Sequence, residues 1–105
     1  MKSLTVISVS KSLLRIDESN WKRRAYFYAL DHHTLGITGK PLREWQKAAP
    51  FSSTAPIKLK ADRIQLPVPR EFVTFYELNM HRFTTTVNSN NILVTVDPRE
   101  DHDAN

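Results

Sequence analysis

The stretch WKRRAYFYALDHH, residues 21–33, concentrates charge and aromatic rings, because its first eight residues hold three cations and four aromatic side chains. Its apolar residues recur with the period of two that is typical of a β-strand. On a strand Ala25, Phe27 and Ala29 share one face, and we predict that this face covers the core. The opposite, solvent-facing side then presents two cations followed by two phenols, Lys22, Arg24, Tyr26 and Tyr28.

A row of this kind has the chemistry that unpaired nucleic acid requires. Cations neutralise phosphates, and aromatic rings stack on bases, each stack contributing about 1–3 kcal/mol. Stacking needs bases that are not already paired, so the pattern favours single strands over duplexes. The competing interpretation is that the tyrosines are ordinary half-buried strand residues, since tyrosine is a common strand former.

The same period of two recurs along most of the chain. Further strands are predicted at residues 3–9, 56–66 with a bend near Asp62–Arg63, 72–80, 82–87 and 92–96. The sequence NSNN, residues 88–91, predicts a turn in which asparagine supplies positive φ in place of glycine. We therefore expect an all-β fold, a small OB-like barrel of five or six strands with one short helix or ordered loop insertion.

The insertion is predicted at residues 38–50, where the strand period is interrupted. Pro41 suits the first turn of a helix, and Leu42, Trp45 and Ala49 then fall on one helical face before Pro50 stops it. Lys40 and Arg43 lie close to Trp45 in the sequence. A tryptophan among cations could stack on a base, but a helix that seals one end of a barrel would have the same sequence.

Length and charge bound the organisation of the chain. A chain of 105 residues has room for one domain. We assign residues 1–97 to a single β-barrel domain and residues 98–105 to an acidic tail that we expect to be disordered. The last nine residues hold four of the eleven acids, so the rest of the chain is strongly basic and suits a polyanionic partner.

Several function classes are not favoured. No apolar run approaches the roughly 18–20 residues of a membrane span, and the absence of cysteine fits a cytoplasmic location. We predict no enzymatic activity, cofactor or metal, because no HExxH, phosphate-binding glycine loop or nucleophile elbow is present. His32 and His33 would point to opposite faces of a strand and could not easily share a metal.

Residues 55–98, APIKLKADRIQLPVPREFVTFYELNMHRFTTTVNSNNILVTVDP, resemble the gene-five-type single-stranded DNA-binding proteins of filamentous bacteriophages. The shared pattern is an apolar–Lys–apolar strand after a proline, a proline-rich connector, a Tyr-x-Leu strand, a long hairpin and a final apolar strand. The resemblance implies a small OB-like barrel that forms a homodimer through the 82–95 hairpin. It also implies cooperative coating of replicating single strands without strong sequence preference.

The resemblance also implies roles for particular residues. Lys58 matches the family's phosphate-contacting lysine, and Trp21 falls near an aromatic residue that stacks on bases. Arg82 and Phe83 stand at the start of the dimer hairpin. The family carries arginines in its final strand where this chain has ILVTV, and its glycine-rich binding wing is reduced here to DESN, residues 17–20. We infer that the cations at residues 22–24 replace those that are lost.

The leading hypothesis is a non-sequence-specific single-stranded DNA-binding protein in the cytoplasm of a bacterial host. The alternative is a small phage or mobile-element regulator that binds an acidic surface of a host protein, with the aromatic residues as interface hot spots. The predicted nucleic-acid-binding residues are Trp21, Lys22, Arg23, Arg24, Tyr26, Tyr28, Lys40, Arg43, Trp45, Lys58, Lys60, Arg82 and Phe83. Lys58 and Lys60 could equally be the charged outer face of an edge strand.

Overall fold

The computed structural model describes residues 5–17 and 20–97, so the predicted acidic tail and part of DESN lie outside the described residues. The strands are β1 (Val6–Ser10), β2 (Arg24–Ala29), β3 (Thr34–Thr38), β4 (Ser52–Pro56), β5 (Lys58–Leu59), β6 (Arg63–Pro67), β7 (Phe83–Asn88) and β8 (Asn91–Val96). Two helices, α1 (Arg43–Ala48) and α2 (Arg70–Tyr76), and a 3-10 turn at Lys11–Leu13 complete the described part.

The strands form two antiparallel sheets. One has three strands in the order β1-β6-β5, and the other has five in the order β4-β2-β3-β8-β7. The described chain is mostly β, but it has eight strands and two helices instead of the predicted five or six strands with one short helix, because residues 56–66 divide into separate strands and residues 70–76 form a helix. Strand pairing among the described residues leaves each sheet open, so the closed OB-like barrel stays a prediction.

The core lies between the inner faces of the two sheets and α2. Ala25, Phe27 and Ala29 of β2 are all fully buried, which confirms the predicted inner face of this strand. Phe27 and Phe72 of α2 have ring centroids 5.8 Å apart. Burying one such side chain contributes about 1.5–3 kcal/mol, so this inner face holds the sheet against the helix.

Helix α2 replaces the strand that was predicted at residues 72–80, and that prediction is wrong. The sequence is rich in strand formers, but Pro69 precedes the first helical residue with its φ fixed near the helical value. Phe72 and Tyr76, four residues apart, then share the buried side of the helix. Glu77 ends it in the left-handed region, at φ 52°.

The segment 56–66 was predicted as one bent strand and is instead a hairpin. Its turn is closed by the Lys60 amide, which donates to the Arg63 carbonyl at 2.8 Å. Strand β4 runs into β5 with only Ile57 between them, and the Ile57 amide donates to the Arg23 carbonyl at 3.1 Å. One extended segment therefore contributes a strand to each sheet.

The predicted glycine-free turn of the β7–β8 hairpin is confirmed. Ser89 and Asn90 take φ values of 54° and 68° between the paired residues Asn88 and Asn91. Two consecutive positive φ values match the twist of the flanking strands. This sharp turn places the tip of the hairpin beside the start of β2.

A hydrogen-bonded brace supports the opposite end of the sheet, at the β2–β3 turn. The Tyr76 hydroxyl lies 2.9 and 2.8 Å from the carbonyl oxygens of Asp31 and Thr34 and donates to this pair. Burial raises the pKa of this phenol, since the charged form would lose its hydration. The Asp31 carboxylate accepts from the backbone amides of His33 and Thr34, both at 2.8 Å.

Replacing Tyr76 by phenylalanine is expected to lower the free energy of unfolding by about 0.5–1.5 kcal/mol, because the Asp31 and Thr34 carbonyls lose the one hydroxyl donor that they share while the ring still packs. Urea denaturation measures the change. Tyr26→Phe, which removes a hydroxyl from the outer side of β2, is the matched control. An equal loss of unfolding free energy in the two variants would contradict a stabilising role for the Tyr76 hydroxyl.

The Asp31 carboxylate stabilises the folded state less as the pH falls into the acid range. The backbone hydrogen bond from His33, helped by Thr34, lowers the pKa of its carboxyl, against a smaller desolvation effect. The stabilisation is therefore present above the unfolded pKa of about 3.9 and is lost as pH falls through the lower folded value. We expect the stability difference between the wild type and Asp31→Asn to shrink below about pH 4 in denaturation at several pH values. A difference that stays constant down to acid pH, or an equal change in the exposed Asp62→Asn, would contradict this.

Candidate nucleic-acid interface

The outer face of β2 carries the predicted row of cations and phenols, although only part of it is open to solvent. Arg24, Tyr26 and Tyr28 lie on the side of β2 away from the core, with Tyr26 opposite Thr38 of β3 and Thr54 of β4. Arg24 is exposed and Tyr26 is half-buried. The prediction that all of these side chains share one face is confirmed for the three that lie in the strand.

Tyr28 is covered, and the prediction that it faces solvent is wrong. Its side chain is 3% exposed, and its hydroxyl accepts a hydrogen bond from the Leu42 amide at 3.2 Å. Its ring meets that of Trp45 edge-on, with centroids 6.0 Å apart. The strand period determines which face a residue occupies, but it does not reveal that the 38–50 segment folds back over half of that face.

Trp45 belongs to this cover. A Cβ atom at Gly36 of β3 would lie 2.5 Å from Trp45 Cζ3, so the indole lies directly on the glycine. Trp45 is half-buried, whereas Arg43 of the same helix is exposed. Of the two interpretations of this segment, a helix that covers the sheet fits the position of Trp45 better than an exposed tryptophan that stacks on a base.

Trp21 is fully buried, so its predicted place on the stacking surface is wrong. It adopts φ 60° and lies three residues before β2 begins at Arg24. Trp21 therefore does not follow the alternation of inner and outer faces along the strand. Its indole packs on Gly39, where a Cβ atom would lie 2.7 Å from Trp21 Cγ. Its Nε1 donates to the Asn90 carbonyl at 2.8 Å, so the indole joins the start of β2 to the hairpin tip.

The cations nearest the open part of β2 follow Tyr26 toward the start of the strand. Arg24 lies opposite Pro56, and its Nε donates to the Thr54 hydroxyl at 3.1 Å. Exposure alternates along the extended segment that joins β4 to β5, which places Lys58 on the same outer side as Thr54. We call Arg24, Tyr26 and Lys58 the outer row.

The other predicted cations lie around this row or far from it. Lys22 and Arg23 are exposed just before β2, and Lys60 is exposed in the β5–β6 turn. Arg82 and Phe83 stand at the far end of β7, the edge strand opposite β4. Three strand spacings, about 14 Å, separate β7 from β2. Phe83 is half-buried against the core, so neither residue joins the outer row.

A cleft that the sequence did not reveal lies beside the hairpin tip. It has a volume of about 570 Å³ and lies between residues 13–17 with Asn20, residues 40–42 and residues 89–91. Its lining consists of Leu13, Arg15, Asp17, Asn20, Lys40, Leu42, Ser89, Asn90 and Asn91. Only the turn sequence NSNN signalled anything unusual here, because the other two segments meet it solely through the tertiary fold.

Two further observations concern function classes that the sequence did not favour. Within the described ranges, no group of three or more His, Cys, Asp or Glu side chains is arranged to hold a metal ion. Neither helix in the described part of the chain has the length and apolar character that crossing a membrane requires. His32 and His33 are exposed in the bend after β2, where the His32 ring stacks on Phe75 at 6.4 Å.

Replacing Trp21 by phenylalanine is expected to lower the free energy of unfolding by about 1–3 kcal/mol, because the Asn90 carbonyl loses its donor and the smaller ring leaves space. Hydrogen exchange should also speed up at the Asn90 and Asn91 amides. Trp45→Phe is the matched control, since that indole is only half-buried. Unchanged exchange rates of the amides at the hairpin tip would contradict the role of Trp21 in joining the start of β2 to that tip.

Comparison of the chain with protein-family models, with curated proteins and with solved structures found no match.

Proposed function

We propose that this chain is a non-sequence-specific single-stranded DNA-binding protein that uses the outer row. The observation that carries the proposal is a run of half-buried Tyr26, exposed Arg24 and exposed Lys58 in one direction along the sheet, since Tyr26 pairs with Thr54, Arg24 pairs with Pro56, and Lys58 follows two residues later. The extended β4–β5 segment continues this surface from the five-stranded sheet to the three-stranded sheet. A flexible strand lying along it would meet cations at its phosphates and a ring at a base.

The row is partly preorganised, which reduces the entropic cost of binding. Arg24 donates to Thr54, whose hydroxyl in turn donates to the Ala25 carbonyl at 2.9 Å. A guanidinium held in this way retains several donors for a phosphate. Because Tyr28 and Trp21 are buried, Tyr26 is the ring on this row that is available for stacking. Phosphate contacts therefore contribute more of the affinity than stacking does, and the affinity should depend strongly on salt.

The resemblance to the phage proteins extends the proposal. It adds an OB-like barrel, coating of replicating single strands, a cytoplasmic location and a homodimer through the 82–95 hairpin. The position of Lys58 on the outer row supports its match to the family's phosphate-contacting lysine. Strand β7 supports the dimer, because it is an edge strand of the described sheet and its Thr84–Thr86 stretch is exposed.

A protein-interaction module remains the second candidate, and a separate surface favours it. Phe75 and Met80, in α2 and the turn after it, are 45% and 67% exposed. Exposed aromatic and methionine side chains are enriched at protein interfaces. This surface lies on the α2 side of the molecule, away from the outer row, so variants can separate the two functions.

Fluorescence anisotropy of labelled oligo-dT over a series of salt concentrations tests the DNA-binding proposal. The double variant Arg24→Gln, Lys58→Gln is expected to bind more weakly and to reduce the log–log salt slope by about 1.4, at roughly 0.7 per phosphate contact. Tyr26→Ala should weaken binding by about 1–3 kcal/mol with little change in slope.

Arg70→Gln and Phe75→Ala are the matched controls, since both residues are exposed on α2. Circular dichroism confirms that each variant folds. Undetectable binding at low salt, or a slope that the double variant leaves unchanged, would overturn the proposal. Capture of an acidic protein that resists nuclease and is lost in Phe75→Ala would favour the interaction module.

A further inference from the structure

The cleft beside the hairpin tip has the size of a small-ligand site, and two leucines interrupt its mostly polar lining. Its volume of about 570 Å³ falls within the range of roughly 300–1,000 Å³ that such sites occupy. Leu13 and Leu42 line it, and Leu13 is 58% exposed. An exposed leucine at the edge of a cleft gains free energy when a flat apolar surface covers it.

The polar lining suits the edge of a nucleobase. Asn20 and Asn91 are half-buried, and each side-chain amide offers both a donor and an acceptor. Every base presents donors and acceptors on its edge, and an asparagine amide can pair with adenine through two hydrogen bonds. A ring held by the two leucines would therefore find polar partners around its rim.

The charges of the cleft suit a phosphate. Arg15 and Lys40 are exposed cations in the lining, and Asp17 is the acidic residue among the described residues that line it. The two cations can contact the oxygens of one phosphate. Lys40 lies two residues after Thr38, which pairs with Tyr26, so the cleft begins close to the end of β3 that borders the outer row.

Hydrogen bonds join two parts of the cleft floor without any ligand. The Asn90 side chain accepts from the Arg15 amide at 2.6 Å and donates to the Arg15 carbonyl at 3.3 Å. The Asn90 carbonyl accepts from Trp21 Nε1 at 2.8 Å. These contacts hold the hairpin tip against Arg15 and against Trp21, and preorganisation of this kind improves affinity by lowering the cost of ordering.

We infer that the cleft binds one nucleoside monophosphate unit, with the base between Leu13 and Leu42 and the phosphate at Arg15 and Lys40. The unit could belong to a strand that lies on the outer row or could be a free mononucleotide. The link to a strand rests on the proposed function, whereas the nucleotide chemistry of the cleft does not.

Titration of the isotope-labelled full chain, followed by NMR of its amides, tests the inference with deoxyadenosine 5′-monophosphate, deoxyadenosine and deoxyribose 5-phosphate as probes. The nucleotide is expected to shift the amides of Arg15, Lys40 and Asn91 in a saturable way. Deoxyadenosine, which lacks the phosphate, and deoxyribose 5-phosphate, which lacks the base, should each bind at least about tenfold more weakly than the nucleotide. That factor corresponds to the loss of roughly one good polar or apolar contact.

The variants Leu13→Ser and Arg15→Gln should each weaken nucleotide binding about tenfold. Both side chains are exposed, and the Arg15 backbone that holds Asn90 is retained. Leu59→Ser and Arg70→Gln, an exposed leucine and an exposed arginine away from the cleft, are the matched controls. Equal binding of deoxyribose 5-phosphate, shifts confined to residues outside the cleft, or no saturable shift would overturn the inference.

Oligo-dA binding by the same variants identifies the source of the nucleotide. Weaker oligonucleotide binding in Leu13→Ser would show that the cleft takes a unit of the strand. Loss of mononucleotide binding with unchanged oligonucleotide binding would show that it takes a free nucleotide. Saturable mononucleotide binding at the cleft by a chain that does not bind oligonucleotides would disprove the proposed function and leave this inference standing.

Discussion

The packing of the Trp21 indole against Gly39 is the contact on which the rest of this surface depends. The ring is fully buried and its Nε1 donates to the hairpin tip at Asn90. It therefore joins three parts of the chain that are distant in sequence: the turn before β2, the end of β3 and the β7–β8 hairpin. The open half of β2 lies to one side of this junction, and the cleft lies to the other.

Helix α1 divides the outer face of the five-stranded sheet into two parts. Trp45 lies on Gly36 and covers Tyr28, so that part of the face is closed to any ligand. Arg24 and Tyr26 lie beyond the helix and stay accessible. The absence of a side chain at Gly36 allows this close approach, and a single position in β3 thus decides how much of β2 a partner can reach.

Local pattern predicted the features that depend on neighbouring residues. The buried face of β2, a short helix within residues 38–50 and the glycine-free turn at Ser89–Asn90 were all predicted from short stretches of sequence. Features set by distant contacts were not. The strand formers around Phe72 concealed a helix, because Pro69 and the spacing of Phe72 and Tyr76 outweighed intrinsic propensity. The burial of Tyr28 and the existence of the cleft depend on which segments meet in space, and a period of two carries no information about that.

The order of strands in the two sheets has a consequence for how the chain acquires its structure during synthesis. Strand β1 pairs with β6, more than fifty residues later, and β3 pairs with β8, close to the end of the described chain. The ribosome must therefore have made β6 before β1 can pair, and β8 before β3 can complete its pairing. Loop closure over such distances is slow, and until it occurs the strand that bears Phe27 and Ala29 stays exposed to chaperones and to other nascent chains.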